Sequence, residues 1–146
     1  MIMTRIISAF PGTGKSYFHR NSDSKVLDSD SSQYSWIEEG VRNPDFPNNY
    51  IAHIKGNIGD ADFILVSSHE VVRTALVTEG IEYTLVFPEI SLKEEYVERF
   101  RQRGSPQAFV DLLEKNWDSW ITELEKQSGC THVKLKQGQY LSDILR

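Results

Sequence analysis

Short runs of apolar residues recur along the chain and alternate with stretches of mixed polarity. Runs that are rich in β-branched or aromatic residues and end at Pro, Gly or a polar cluster are typical of strands in a buried sheet. The predicted strands are 6–10, 26–27, 63–66, 83–87 and 131–135. Because helical patterns separate these runs, the sequence predicts an α/β sandwich with a five-stranded, mainly parallel sheet.

The stretches between the strands carry apolar residues three and four positions apart, the spacing of one helix face. The first predicted helix begins at Lys15. The others cover residues 50–58, 71–76, 91–100, 105–124 and 140–145. The pattern over 33–59 is helical but broken by Gly40, Pro44 and Pro47, which predicts an inserted helical segment.

Finer features of two helices follow from single residues. Ser91 and Glu94 have the spacing of a capping box, and Pro106 fits the first position of the next helix. Trp117 and Trp120 fall in the apolar stripe of that helix, which favours core packing over stacking on nucleic-acid bases.

Composition narrows the class of protein. A chain of 146 residues predicts one domain over 1–146, and a net charge of −5 disfavours a nucleic-acid partner. The apolar runs are shorter than the roughly 18 to 20 residues of a membrane span, and the N-terminus lacks a cleavage site. Cys130 is the single cysteine and cannot form an internal disulfide. We therefore expect a cytoplasmic protein without a membrane partner.

The chemistry is carried first by residues 9–16, Ala-Phe-Pro-Gly-Thr-Gly-Lys-Ser, which match the phosphate-binding P-loop except for Ala at its first position. Glycines let successive backbone N–H groups point into one anion-sized hollow. Lys15 can reach the β- and γ-phosphates of ATP, and the Ser16 hydroxyl can ligate Mg²⁺. The expected ATP-binding residues here are Pro11, Gly12, Thr13, Gly14, Lys15 and Ser16.

Two carboxylates follow the second predicted strand. Asp28 and Asp30 are two residues apart, so in an extended chain they project to the same side. One could lie near the metal and the other could accept a proton from an attacking hydroxyl, although Asp-Ser-Asp-Ser-Ser is also ordinary turn composition.

Three arginines lie near the end of the helix before Gly104. Arg99 and Arg103 share a face and suit the stabilisation of a transferring phosphoryl group, whereas Arg101 is better explained by the helix dipole.

The third predicted strand ends in Ser67-Ser68-His69, where many NTPases carry an acidic residue. Ser67 and His69 are candidate substrate contacts, and Ser68 is a candidate helix cap.

Together these features resemble the small P-loop kinases of the nucleoside monophosphate kinase and shikimate/gluconate kinase group, and in general character the small nucleotide-kinase-like proteins of bacteriophages. The resemblance implies a three-layer α/β/α sandwich, in which Asp28 assists Mg²⁺ and Asp30 binds or deprotonates the acceptor. It also implies an acceptor-binding role for 33–59 and a short lid over 99–107. Further residues implied by the resemblance are Arg42 and Arg73 for the acceptor, and Thr131 and Lys136 on the adenine side.

The expected activity is the transfer of the γ-phosphoryl group from Mg²⁺-ATP to a small acceptor, with a (deoxy)nucleoside monophosphate favoured. Lys15, Asp30, Arg99 and Arg103 are the expected catalytic residues. The chain lacks the Gly-Tyr/Phe-Pro-Arg segment that many nucleotide kinases carry after the third strand. The alternatives are a kinase of a small-molecule hydroxyl, a nucleotide-binding module without catalysis, and a polynucleotide end kinase. We expect a monomer or a homodimer.

Overall fold

The computed structural model describes residues 4–29, 36–38, 41–42 and 44–145, with the backbone alone in 36–38 and 41–42. The strands are β1 (Arg5–Ala9), β2 (Val26–Asp28), β3 (Trp36–Glu38), β4 (Val41–Arg42), β5 (Phe63–Ser67), β6 (Thr84–Pro88) and β7 (Thr131–Leu135). The helices are α1 (Lys15–Asn21), α2 (Asn48–Asn57), α3 (Glu70–Thr78), α4 (Lys93–Gln102), α5 (Gln107–Glu125) and α6 (Leu141–Ile144).

Five of the strands form one sheet in the order β2-β5-β1-β6-β7, and every pair in it is parallel. The five predicted strands are therefore confirmed to within two residues at each end, and the sheet is wholly rather than mainly parallel. Buried apolar runs such as Phe-Ile-Leu-Val in β5 suit a sheet that is covered on both faces.

Alternation along the strands divides the core into two layers, because successive side chains point to opposite faces. Ile6 belongs to the core layer that the buried residues of α2, α3, α4 and α5 form on one face of the sheet. Ile7 packs with Phe18 of α1 and Leu141 of α6 on the other face. The sheet thus lies between two helical layers, as an α/β/α sandwich requires.

The order of connections opens a crevice at one edge of the sheet. The chain after β1 leads past β5 to β2, whereas the chain after β6 leads to β7 on the opposite side. Where connections diverge in this way, the carboxyl ends of parallel strands leave room for a ligand. The loop after β1 therefore lies at the position where the topology favours a binding site.

Residues 33–59 differ from the predicted helical segment. β3 and β4 pair antiparallel within it, and α2 covers only Asn48–Asn57. The prediction of a helical insertion is wrong for 36–38 and 41–42, because Trp, Ile and Val at these positions favour strands.

Two helix starts also differ from prediction. Residues Ile90–Leu92 form a 3₁₀ turn, so Leu92 and not Ser91 precedes α4, and it makes no side-chain capping bond. Pro106 precedes α5 and is not its first residue. Among the described residues, no helix is both long enough and apolar enough to cross a membrane.

Candidate functional site

The loop between β1 and α1 depends on two glycines with left-handed backbone angles. The φ angle is 82° at Gly12 and 89° at Gly14, a region that other residues enter only at a cost. Such changes of hand turn successive backbone N–H groups toward one side and form an anion-binding hollow. The local sequence therefore produces the backbone shape that phosphate binding requires.

The loop is packed tightly from behind. A Cβ added at Gly12 would lie 3.0 Å from the Phe100 ring, and one added at Gly14 would lie 3.0 Å from the Tyr140 ring. The buried Thr13 donates its hydroxyl to the Phe10 carbonyl at 2.7 Å, which makes this side chain a brace within the loop. The fixed conformation favours ligand binding because little ordering remains to be done.

Arg99 joins the loop to the segment after β7. Its guanidinium donates to the Gly12 carbonyl at 2.8 Å and to the Gln139 carbonyl at 3.0 Å. The same group pairs with Glu95 at 2.8 Å and lies over the rings of Tyr96 and Tyr140, at 4.3 and 3.9 Å from their centroids. Only 10% of the side chain is exposed. Arg99, predicted to be catalytic, is thus engaged by protein groups behind the loop.

Two adjoining cavities meet at Lys15. The outer one, here the loop cleft, has a volume of about 700 Å³ and lies over Gly12, Gly14 and Ser16. The other, here the inner cavity, has a volume of about 360 Å³ and extends toward β5 and α5. Lys15 lines both and donates to the Ala9 carbonyl at 3.3 Å. The residues that line both cavities are Pro11, Lys15, His69 and Phe109.

The loop cleft is strongly cationic. Lys15, Arg20 and Arg103 line it, and among the described residues of its wall there is no carboxylate. Arg103 follows the last residue of α4, and its guanidinium lies 5.1 Å from the centre of the Phe100 ring. Ser16 is exposed in the same wall. The structure therefore brings together Lys15, Ser16 and Arg103 as the sequence predicts.

Arg20 is a further residue of the loop cleft that the sequence argument missed. It lies one helical turn after Ser16 on α1, so both side chains are on the same face of that helix. This spacing was the available signal.

The end of β5 contributes polar groups to the inner cavity. Ser67, Ser68 and His69 all line it, together with the Lys15 side chain. The Ser67 hydroxyl oxygen is buried and has no hydrogen-bond partner in the part of the chain that the structure describes. His69 takes the position before α3 without a side-chain capping bond, so the predicted cap by Ser68 is not formed.

Arg73 lines the same cavity but is largely occupied. Its side chain is 3% exposed and donates from all three nitrogens: Nε to the Ser68 carbonyl at 2.8 Å, and the other two to Gln127 at 2.7 Å and Glu123 at 3.0 Å. Arg73, which the resemblance assigns to the acceptor, is thus a buried tie between α3 and α5.

The end of β2 presents Asp28 on the α1 side of the sheet. Val26 packs with the α1 layer and Leu27 with the opposite layer, so alternation returns Asp28 to the α1 layer. The next residue, Ser29, points the other way and bonds His53 of α2 at 3.0 Å. Asp30 and the side chain of Arg42 lie outside the described residues, so their predicted roles stay predictions.

The loop cleft offers an oxygen donor that suits Mg²⁺. This ion keeps several waters and takes one or two protein oxygens together with substrate phosphates. The Ser16 hydroxyl in the wall of the loop cleft is a hard oxygen donor of this kind, whereas Asp28 lines neither the loop cleft nor the inner cavity. Within the described ranges there is no cluster of three or more His, Cys, Asp and Glu side chains, as would build an all-protein metal cage.

The two residues predicted on the adenine side lie at different edges of the sheet. Lys136 directly follows the carboxyl end of β7, next to the Gln139 carbonyl that Arg99 binds. Thr131 is the first residue of β7, so it lies about 13 Å along the strand from that edge. The structure does not bring Thr131 to the site.

Comparison with protein-family models and with curated proteins finds no match for the chain.

Proposed function

We propose that this protein is an ATP- and Mg²⁺-dependent phosphotransferase of the P-loop kinase type. It moves the γ-phosphoryl group to a small acceptor, with a (deoxy)nucleoside monophosphate favoured. One observation carries the proposal: Lys15 lies at the junction of the cationic loop cleft and the inner cavity. A group at this junction can contact both the phosphate that is transferred and the acceptor that receives it.

In this proposal the loop cleft holds the donor. The backbone amides around Gly12 and Gly14 bind the phosphates, and Lys15 neutralises the oxygens that gain charge in the transition state. Arg103 and Arg20 supply further positive charge to the same cleft. Ser16 would ligate Mg²⁺ and Asp28 would orient the ion through water, and the ion would offset the charge on the donor phosphates.

The inner cavity holds the acceptor. The acceptor's attacking oxygen lies at the Lys15 end, in line with the γ-phosphate. A phosphate oxygen is already a nucleophile, so a nucleotide acceptor needs no strong base, and β5 itself ends in Ser67 without an acid. The first carboxylate after that strand is Glu70 at the start of α3, which also lines the inner cavity. If Asp30 serves as base for a hydroxyl acceptor instead, Asp30→Asn should lower kcat severely and not mainly raise KM.

The strand order supports the same proposal. The glycine loop follows the central strand β1, at the point where the sheet's connections diverge. Because Phe100 and Tyr140 pack closely against the loop, the loop should have the same conformation with and without a ligand.

The test is an ADP-release assay with ATP, Mg²⁺ and a panel of all nucleoside and deoxynucleoside monophosphates. We expect turnover with at least one of them, lowered about 100-fold or more by Lys15→Ala, in the range found when a single transition-state donor is removed. Lys126→Ala, at the exposed end of α5, is the matched control and should retain wild-type turnover.

Other outcomes of the assay separate the alternatives. Tight ATP binding without product from any nucleotide, nucleoside or hydroxy acid would favour a non-catalytic nucleotide-binding module. Phosphorylation of a 5′-hydroxyl oligonucleotide would favour a polynucleotide end kinase. ADP release that survives Lys15→Ala would show that the chemistry lies elsewhere.

A further inference from the structure

The inner cavity is elongated, and its two ends differ in chemistry. Phe109 and Glu123 both line it and are fourteen residues apart on α5, a distance of about 20 Å along the helix. Phe109 borders the loop cleft near Lys15, whereas Glu123 pairs with Arg73. A ligand in this cavity therefore has a reacting end near Lys15 and a distal end near Glu123.

At the distal end the polar group that is offered to a ligand is a carboxylate. Arg73 is 3% exposed and donates from each nitrogen to protein, whereas the Glu123 side chain is 48% exposed. The Gln127 amide accepts from Arg73 and donates to the Ser128 carbonyl. In the described part of the chain, Glu123 bonds Arg73 through Oε2 and leaves Oε1 without a partner.

A partly open carboxylate accepts hydrogen bonds and repels negative charge. A sugar acid, or an acceptor with a second phosphate, would bring an anion to a cavity whose lining includes two carboxylates, Glu70 and Glu123, and whose buried arginine, Arg73, already pairs with Glu123. An amino group or a ring N–H would instead form a charge-assisted hydrogen bond. The distal end thus favours an uncharged donor group.

The walls between the two ends are aromatic. Phe10, Phe109 and Trp120 line the cavity, and Trp120 is only partly buried although it falls in the same helical stripe as the fully buried Trp117. Trp120 packs against the core as predicted, and its partly exposed side chain also lines the inner cavity. Flat aromatic walls suit a flat ring, because such rings stack.

We propose that the inner cavity selects an acceptor with a nucleobase at its distal end, held against Trp120 and read by Glu123 through an amino group or ring N–H. This inference rests on the proposed phosphotransfer function and names the residues that recognise the base of its favoured acceptor. It also moves acceptor recognition from the 33–59 segment to α5. The volume of about 360 Å³ is within the usual range for small-molecule sites, about 300 to 1,000 Å³.

The first test is Glu123→Gln, which keeps an oxygen for Arg73 but removes the charge. We expect KM for monophosphates of adenine, cytosine and guanine to rise about ten-fold or more, with kcat changed less than about three-fold, because a charge-assisted bond far from the reacting atoms is lost. Glu125→Gln is the matched control, since Glu125 lies outside the cavity and faces Lys134 at 3.5 Å. It should leave KM unchanged.

The second test measures acceptor binding without ATP, by calorimetry. Trp120→Leu keeps an apolar side chain but removes the flat ring, and we expect nucleotide binding to weaken about ten-fold or more. Shikimate and gluconate serve as acidic comparison ligands and should bind the wild type at least about ten-fold more weakly than the best nucleotide.

The outcomes separate the inference from the function on which it rests. Equal KM values for Glu123→Gln and Glu125→Gln, or phosphorylation of a sugar acid in preference to every nucleotide, would overturn the inference and leave phosphotransfer standing. No ADP release with any acceptor would overturn the proposed function, while calorimetry would still report whether the cavity binds nucleobases.

Discussion

Gly14 is constrained by both its backbone and its neighbour. Its φ of 89° disfavours any side chain, and the Tyr140 ring occupies the space where a Cβ would lie. Gly80 also has a positive φ, 68°, but open space around it. Alanine substitutions at Gly80 and Gly14 therefore separate the cost of backbone strain from the cost of disturbing the loop between β1 and α1.

We expect Gly80→Ala to lower the free energy of unfolding by about 1 to 2 kcal/mol, the usual cost of a left-handed alanine. Gly14→Ala should lower it further and weaken ADP binding about ten-fold or more, because the loop must move away from Tyr140. Urea denaturation and calorimetry give the two quantities. Equal effects of the two substitutions on ADP binding would contradict this account of the loop.

Tyr96 links the packing behind the loop to pH. It is fully buried, and desolvation raises the pKa of its hydroxyl from 10.0 to about 12 despite the opposing charge of Arg99. Because the folded-state pKa is raised, this tyrosine's contribution to stability is complete below pH 10, the unfolded value, and is lost as the pH rises toward 12.

We therefore expect the wild type to lose about 3 kcal/mol of stability from this residue across that range. Tyr96→Phe should be less sensitive to alkaline pH, although Tyr83, whose pKa burial also raises, leaves a remaining slope. Urea denaturation between pH 9 and 11 measures the start of the effect. Tyr17→Phe, at an exposed site, is the control and should keep the wild-type slope of stability against pH. If the slope of Tyr96→Phe equals the slopes of the wild type and of Tyr17→Phe, the raised pKa of Tyr96 is contradicted.

At the scale of elements, Arg99 holds three pieces of chain together: α4, the loop after β1 and the segment before α6. A lysine at this position would keep the charge, but it could not donate in one plane to Gly12 and Gln139 or stack on both tyrosines. A positioning role and the predicted catalytic role therefore give different results on substitution.

Arg99→Lys should lower the free energy of unfolding by about 1 to 3 kcal/mol and raise KM for ATP more than it lowers kcat. Arg101→Lys, at an exposed site that pairs with Glu114 at 3.4 Å, should change neither. Steady-state kinetics and urea denaturation on both variants provide the comparison. A large loss of kcat with unchanged stability would instead favour the catalytic role.

Features that depend on neighbouring residues could be predicted from the sequence, whereas contacts between residues far apart in the sequence could not. The β5 strand follows from an unbroken apolar run, and the glycine loop follows from its own eight residues. The β3–β4 pair was missed because Gly40, Pro44 and Pro47 were read as breaks in a helix. The hydrogen bonds from Arg73 to Glu123 and Gln127 span at least 50 residues, so no local pattern could reveal them.

At the scale of the whole molecule, the net charge of the chain and the charge of the loop cleft have opposite signs. The chain carries a net charge of −5, yet among the described residues the loop cleft is lined by cations without a carboxylate. A net negative charge disfavours long polyanions, whereas a cationic cleft still admits a small anion that fits inside. The overall charge and the local charge are therefore both consistent with the proposed ligand, a small phosphate compound.

Ligand binding and global stability should be linked through this cleft. A nucleotide that binds only the folded chain, at 100 times its Kd, adds about 2.7 kcal/mol, which corresponds to a rise in Tm of roughly 5 to 10 °C for a domain of this size. We expect ADP with Mg²⁺ to produce such a shift in a thermal melt, and Lys15→Ala to reduce it strongly at the same ADP concentration. Lys126→Ala should keep the full shift. If millimolar ADP leaves the wild-type Tm unchanged, the loop cleft does not bind nucleotide, whatever its charge and shape suggest.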